Sequence, residues 1–225
     1  MAGLTLEISM SLDGYVAGPN PSLEDPLGKG GDQLHEWAVR LESWRERHGM
    51  TGGETGPEGD RMREALDATG AVVMGRRMFS GGAGPWEDDP NADGWWGDDP
   101  PFHAPVFILT HHAREPVEKQ GGTTFTFVTD GIDSALEQAR EVAGDKNVAL
   151  SGGASVAQQY LQAGLVDKLQ LHIAPVFLGG GVRLFDGIPP GRLELAGAFD
   201  SVGVTHLEYR VARSPSSTGG TPPAS

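Results

Sequence analysis

Hydrophobic and polar positions along the chain follow two periods, one typical of strands and one typical of helices. Leu4 to Met10 alternates, as expected of a strand with one buried face. Shorter runs are apolar throughout, as in AVVMG at 71–75 and VFILT at 106–110, which is typical of strands buried on both faces. Further strands are predicted at 123–129, at 147–151, within 166–179, at 193–201 and at 204–212.

Four other segments repeat apolar residues every three to four positions and are predicted to be helices. They lie between Asp32 and Gly49, from Asp60 to Thr69, at 132–144 and at 154–164. Leu34, Trp37 and Leu41 fall on one face of the first helix. Asp32 is placed to cap its start, and Gly49 to end it.

The alternation of strands and helices predicts an α/β fold with a mainly parallel central sheet flanked by helices on both faces. The link between 193–201 and 204–212 is too short for a parallel crossover, so the C-terminal pair is predicted to be an antiparallel hairpin. The length of the chain suits one domain, predicted at 1–212 with a loop-rich insertion at about 19–60. The low-complexity tail at 213–225 is predicted to be disordered.

The charge balance narrows the classes of partner. The chain has 17 basic and 31 acidic residues and a formal net charge of -14, so nucleic acid is not an expected partner. It has no cysteine, which excludes a disulfide framework, a thiolate nucleophile and a cysteine zinc site, and no metal site is predicted. The apolar runs are too short to cross a membrane and the N-terminus is unlike a secretory signal, so we expect a cytoplasmic protein.

Candidate chemistry lies after three of the predicted strands. Ligands of open α/β sheets bind beyond the carboxyl ends of the strands, and here those ends carry GRR at 75–77, THHAR at 110–114 and SGGAS at 151–155. Adjacent arginines suit phosphate oxygens, and the first amides of the helix after SGGAS are free to bind an anion. Taken singly, each segment reads more readily as a turn or as solvated surface. Together they predict a ligand with several phosphates.

These three segments, with SLDGYVAG at 11–18 and APVFLGGG at 174–181, make the chain resemble the dihydrofolate-reductase-like superfamily over about residues 4–211. Within it, the chain is most similar to the reductase domain of the bifunctional deaminase-reductase of riboflavin biosynthesis and to its stand-alone relatives. The resemblance implies an NADPH-binding fold. The residues that it places at the adenosine and the phosphates are Gly75, Arg76, Arg77, Thr110, His111, Gly152, Gly153, Ala154 and Ser155, and those that it places at the nicotinamide are Ala17 and Gly18.

The chain also departs from the pattern of this superfamily. Met78 stands where dihydrofolate reductases usually have a threonine, which removes one hydroxyl contact to phosphate. The deaminase half of the bifunctional enzyme is absent, because its zinc signature requires cysteines. The resemblance places a catalytic carboxylate near Asp60, with Asp32 and Glu36 as rivals. Each of these acids is also explained by a helix cap or an exposed charge.

Two further features leave alternatives open. The segment 85–105 is rich in aromatic residues that either floor a pocket for a flat heterocycle or cover an edge or a dimer contact. These residues are Trp86, Trp95, Trp96, Phe102 and His103. Arg183 is the spare basic residue that a second phosphate site would need. The resemblance also leads us to expect a homodimer.

The predicted function is an NADPH-dependent reductase of a small heterocyclic or carbonyl substrate, resembling 5-amino-6-(5-phosphoribosylamino)uracil reductase domains. A true riboflavin-pathway reductase would need the second phosphate site. The alternative from another class is a nucleotide-binding module or sensor without turnover.

Overall fold

A central mixed β-sheet organises the protein, which a computed structural model describes over residues 3–212. The predicted tail at 213–225 lies outside the described residues. Eleven strands occur within 3–212: β1 Leu4–Ser11, β2 Tyr15–Ala17, β3 Thr69–Gly75, β4 Pro105–Leu109, β5 Val117–Glu118, β6 Thr124–Val128, β7 Asn147–Leu150, β8 Lys168–Ala174, β9 Val182–Arg183, β10 Leu193–Ser201 and β11 Val204–Val211.

The sheet order is β10-β11-β8-β1-β7-β3-β4-β6-β5, and β2 pairs separately with β9. The six strands from β8 to β6 in this order run parallel to one another. β10 and β11 form an antiparallel hairpin beside β8, and β5 pairs antiparallel with β6 at the other edge. The predicted fold class, including the C-terminal hairpin, is confirmed. The parallel strands end at one edge, where the three ligand-binding segments were predicted to meet.

Helices and an irregular segment cover the two faces of the sheet. The helices within 3–212 are α1 Glu36–Val39, α2 Glu42–Arg47, α3 Pro57–Asp67, α4 Arg76–Ser80, α5 Ile132–Ala143 and α6 Ala154–Gln162. α5 and α6 bury small and apolar side chains, such as Ala139 and Val156, in the main core with Leu4 and Val73. On the other face, Phe79 and Phe125 form a second core with aromatic residues of 85–105.

The first predicted helix is broken. Gly31–Leu34 forms a 3-10 turn, and the chain then forms α1 and α2 as two short helices. Leu41 between them is extended, because the chain on either side of it exchanges backbone hydrogen bonds with Glu54. The predicted apolar face is nonetheless buried, with Leu41 only 3% exposed. Asp32 lies inside the 3-10 turn and does not cap a helix.

A buried polar chain lies under α1, on the β1–β8–β11 part of the sheet. The Nδ1 atoms of His172 and His206 are 2.7 Å apart, and their Nε2 atoms contact Glu7 and Glu58 at 3.1 and 2.9 Å. Trp37 packs on both imidazole rings. Burial and the neighbouring His172 lower the pKa of His206, against the opposing effect of Glu58.

Candidate functional site

A cavity of about 790 Å³ lies across the carboxyl ends of β1, β7, β3, β4 and β6. This volume is within the range of small-molecule sites, and the position is the one that open α/β sheets use for ligands. Ten of the eleven residues predicted to bind the cofactor line it: Ala17, Gly75, Arg76, Arg77, Thr110, His111, Gly152, Gly153, Ala154 and Ser155. The eleventh, Gly18, follows Ala17 and donates its backbone N–H to Leu27 O at 2.7 Å.

The turn between β7 and α6 forms one wall of the cavity. Gly152 has φ +98°, a conformation that favours glycine, and its carbonyl accepts a hydrogen bond from Gly75 N at 2.7 Å. The Gly152–Gly153 peptide bond is cis. No side chain caps the N-terminus of α6, and a Cβ placed on Gly153 would meet no atom within 4 Å. Open space therefore lies against the start of a helix, where unpaired amides attract anions.

Arg76 is held rigidly at the edge of the cavity. Its guanidinium contacts Asp89 Oδ2 at 2.5 Å and lies 3.6 Å from the ring centroid of Trp86. Both charged side chains are buried, at 6% and 2% exposure. The Nε and Nη1 atoms of Arg76 are buried and have no hydrogen-bond partner among residues 3–212. Arg76 thus pairs with a carboxylate and is buried, although it retains unpaired donors.

Several groups fix Asp89 as the counterion. Burial would raise the pKa of its carboxyl, but hydrogen bonds from Ser80 Oγ at 2.8 Å and Asn91 N at 2.9 Å, with the charge of Arg76, lower it overall. The clamp, meaning Arg76, Asp89 and Trp86, ties the segment 85–105 to α4. No pattern in the sequence distinguishes Asp89 as the partner of Arg76, because it is one of many acids in that segment.

Arg77 differs from its neighbour. Its side chain is exposed, lines the cavity and has no ion pair within the described part of the chain. His111 is also exposed at the same edge, after β4. The side chain of Thr110 faces the loop instead, since its hydroxyl accepts a hydrogen bond from His112 N at 3.1 Å. Arg77 is therefore the solvent-exposed, permanently charged cation among the residues that line the cavity.

The geometry does not support Asp60 as the catalytic carboxylate. Asp60 lies on the exposed side of α3, contacts Arg63 at 3.3 Å and does not line the cavity. The position to which the resemblance pointed for this carboxylate is therefore on the outside of α3. Of the rivals, Asp32 lines the cavity and Glu36 does not. His35 also lines the cavity. The sequence pattern does not single it out, because one histidine within an apolar helical pattern carries no distinguishing signal.

The aromatic segment divides between two roles. Trp95 and Trp96 line the cavity. Trp86 and Phe102 pack into the second core, and His103 is exposed beside Asp99. Part of the segment therefore lines the cavity and part covers the sheet. Stacking on a flat heterocycle and a dimer contact both stay predictions.

Arg183, the spare candidate for a second phosphate site, lies outside the cavity lining. Its guanidinium packs over the Tyr15 ring at 4.6 Å and donates to the Tyr15 hydroxyl at 3.1 Å. The structure therefore gives this arginine a partner on β2 instead of a place in the cavity.

Backbone segments approach one another closely behind Ala17. Gly181 has φ +120°, and a Cβ there would overlap the carbonyl oxygen of Ala17. The Asp13 carboxylate fixes the same loop by accepting hydrogen bonds from Leu178 N and Gly179 N at 3.1 and 2.8 Å. The GGG run of the sequence thus serves to position the loop that ends at Ala17.

Replacing Gly181 with alanine is expected to destabilise the protein by about 1–3 kcal/mol, the usual cost of a strained backbone position. Urea denaturation measures the change. Gly180→Ala is the matched control, because a Cβ at that position meets nothing within 4 Å. Equal stabilities of the two variants would contradict the close approach.

Within residues 3–212, no group of histidine, aspartate and glutamate side chains is arranged to hold a metal ion. In the same residues, no helix is long and apolar enough to cross a membrane.

Comparison with known proteins gives this cavity its context. The family model "RibD C-terminal domain" matches residues 2–204. YyaP of Bacillus subtilis (strain 168), an uncharacterised protein, is 30% identical over 188 residues, which are 81% of this chain and 79% of that protein. A crystal structure from Shewanella sp. PV-4, assigned provisionally to riboflavin biosynthesis, has TM-score 0.61 and 20% identity, covering 95% of this chain and all (100%) of that one.

The diaminohydroxyphosphoribosylaminopyrimidine deaminase/5-amino-6-(5-phosphoribosylamino)uracil reductase of Thermotoga maritima has TM-score 0.56 and 14% identity. The match covers 94% of this chain and 57% of the bifunctional protein. At these identities, the two solved structures establish a shared fold.

Proposed function

The chain belongs to the family of RibD C-terminal domains, and from this premise we propose that it is an NADPH-dependent reductase of a small heterocyclic or carbonyl substrate. The observation that carries the proposal is the cavity that joins the uncapped start of α6 to the exposed guanidinium of Arg77. An anion that enters this end meets helix amides and a fixed cation together.

The residues present fit a dinucleotide phosphate. The open space at Gly153 and the unpaired donors of Arg76 are features that a bound anion would satisfy. In the proposal, Gly152 to Ser155 hold the pyrophosphate, Arg77 and His111 hold the 2′-phosphate, and Ala17 and Gly18 lie at the nicotinamide. NADPH supplies the hydride chemistry when bound, and the protein binds, orients and excludes water.

The decisive test combines binding with turnover. NADPH and NADH affinities are measured by fluorescence titration, and loss of the reduced-nicotinamide absorbance is followed over a panel of heterocyclic and carbonyl compounds. Tight NADPH binding with turnover supports the proposal. Binding without turnover on any member of the panel favours the nucleotide-binding module, and no binding refutes both.

Placing a carboxylate at the start of α6 is expected to weaken nucleotide binding without destabilising the helix. Ser155→Asp puts a negative charge in the first turn of α6, which favours the helix but repels a pyrophosphate. We expect NADPH and NADH to weaken alike, by roughly tenfold or more. Ser155→Ala is the control, with at most about a threefold effect, because only one hydroxyl contact is lost. Unchanged affinity in Ser155→Asp would refute the phosphate seat.

The homodimer and the cytoplasmic location remain predictions. Leu193 and Leu195 on the edge strand β10 are 44% and 62% exposed. A second copy of the chain covering such an edge would be in keeping with the proposed dimer.

A further inference from the structure

The two ends of the cavity differ in charge. The arginines that line it, Arg76 and Arg77, both lie at the end of β3, beside the proposed phosphate seat. At the other end, beyond Ala17, the charged lining residue is Asp32. No lysine or arginine of residues 3–212 lines that second end. A ligand portion that enters it therefore meets a negative charge without a compensating cation.

His35 adds a neutral hydrogen-bonding group to this end. Its Nδ1 atom is buried and has no partner among the described residues. Burial lowers the pKa of His35, repulsion from His172 adds to the effect, and Asp32 opposes it. An imidazole without charge exchanges hydrogen bonds with a carbonyl, a ring nitrogen or an N–H group, and does not neutralise an anion.

Flat and apolar side chains form further walls of the cavity. Those that line it are Trp95, Trp96, Pro21, Pro26 and Leu27. Trp95 and Leu23 both lie against Gly81, which joins the 18–31 loop to the aromatic segment. The indole N–H of Trp96 is buried and has no hydrogen-bond acceptor within the part of the chain that the structure describes. Such walls suit a planar ring with polar edges.

We propose that the substrate is a flat, uncharged heterocycle with N–H donors and carbonyl acceptors and without a phosphate group, and that His35 contacts it. This proposal rests on the proposed function for the location of the cofactor. A phosphate carries about -1.5 to -2 charges at neutral pH. At this end it would face the like charge of Asp32 without gaining a cation from the cavity lining. The inferred substrate thus differs from the phosphoribosyl compound that names the Thermotoga maritima reductase.

A matched pair of probes tests the inference. 5-Amino-6-(ribitylamino)uracil and its 5′-phosphate differ only in the phosphate, and quenching of tryptophan fluorescence reports their binding beside Trp95 and Trp96. We expect the phosphate-free compound to bind at least roughly tenfold more tightly, because one repulsive charge contact is avoided. Equal or tighter binding of the phosphate, or no binding of either probe, overturns the proposal.

The measurement is made on the free protein and again with saturating NADP⁺. Loss of the proposed function would appear as failure to bind NADP⁺. The preference between the two probes is read with NADP⁺ bound, so that the phosphate of the probe cannot occupy the phosphate seat, and on the free protein if NADP⁺ does not bind. The two failures are therefore distinguishable.

Substitutions at Asp32 and His35 sharpen the test. Asp32 is exposed, so Asp32→Lys does not threaten the fold, and it is expected to reverse the preference in favour of the phosphate. His35→Phe is expected to weaken the phosphate-free probe by roughly tenfold and to leave NADP⁺ affinity unchanged, whereas His35→Gln keeps a neutral hydrogen-bonding group and most of the binding. His103→Gln, exposed and outside the cavity, is the control. An Asp32→Lys protein with an unchanged preference would overturn the proposal even if His35→Phe failed to fold.

Discussion

Asp89→Ala is expected to lower the free energy of unfolding by about 3–5 kcal/mol, the usual cost of removing one partner of a buried ion pair. The loss is large because the Arg76 guanidinium stays buried at 6% exposure, with its charge uncompensated. Urea denaturation measures it. Asp88→Ala, which removes the exposed neighbouring carboxylate, is the control and should change stability by less than about 0.5 kcal/mol.

A second variant separates charge from packing at the clamp. In Arg76→Met/Asp89→Ala both charges are absent, so we expect most of the lost stability to return.

The stability that the clamp contributes should also depend on pH, with a defined sign. Because the pKa of Asp89 in the folded protein lies below the ordinary value of 3.8, its stabilising effect is present above that pH and is lost as the pH falls further. If Asp89→Ala lowered the free energy of unfolding by less than about 1 kcal/mol, the result would contradict a stabilising ion pair at the clamp.

Arg77→Ala is expected to weaken NADPH by roughly 10- to 100-fold and NADH by less than about threefold, since only NADPH carries the 2′-phosphate. Arg77 is exposed and forms no ion pair within residues 3–212, so the free energy of unfolding should not change. Fluorescence titration with both nucleotides measures the affinities. Equal losses for NADPH and NADH would remove the assignment of Arg77 to the 2′-phosphate.

Arg63→Ala is a suitable control for this experiment. Arg63 lies on α3 among Glu42, Glu46 and Asp60, away from the cavity. Arg63→Ala removes one positive charge, as Arg77→Ala does, but leaves the cavity lining intact. Its effect on the two affinities therefore measures the long-range electrostatic contribution, which is subtracted from the effect of Arg77→Ala.

Local patterns predicted the strands and the meeting of the three candidate segments at one edge of the sheet. Apolar runs such as 71–75 require burial on both faces, and that requirement leads to a parallel sheet whose strand ends meet at one edge. The helix after Asp32 was mispredicted because periodicity does not report a distant partner. Glu54 holds the chain at Leu41 in an extended conformation, and nothing near Leu41 in the sequence signals that contact.

The proposed phosphate end of the cavity was more predictable than the proposed substrate end. Gly152, Arg77 and their neighbours follow strands directly, so strand order alone brings them together. Asp32 and His35 reach the cavity through a long irregular segment whose path depends on close backbone contacts, including those of Gly18 and Gly28. Asp60, to which the resemblance pointed for the catalytic carboxylate, lies on α3 with its side chain exposed and outside the cavity lining.

The paired imidazoles under α1 connect the sheet through side chains as well as through its backbone. The Nδ1 atoms of His172 on β8 and His206 on β11 are 2.7 Å apart, and the two Nε2 atoms extend the chain to Glu7 on β1 and Glu58 on α3. Because one Nδ1 must donate and the other must accept, the tautomer of one ring dictates that of the other. Replacing either histidine with an apolar residue would leave the other imidazole buried with an unpaired Nδ1, so the two strands depend on each other at this point.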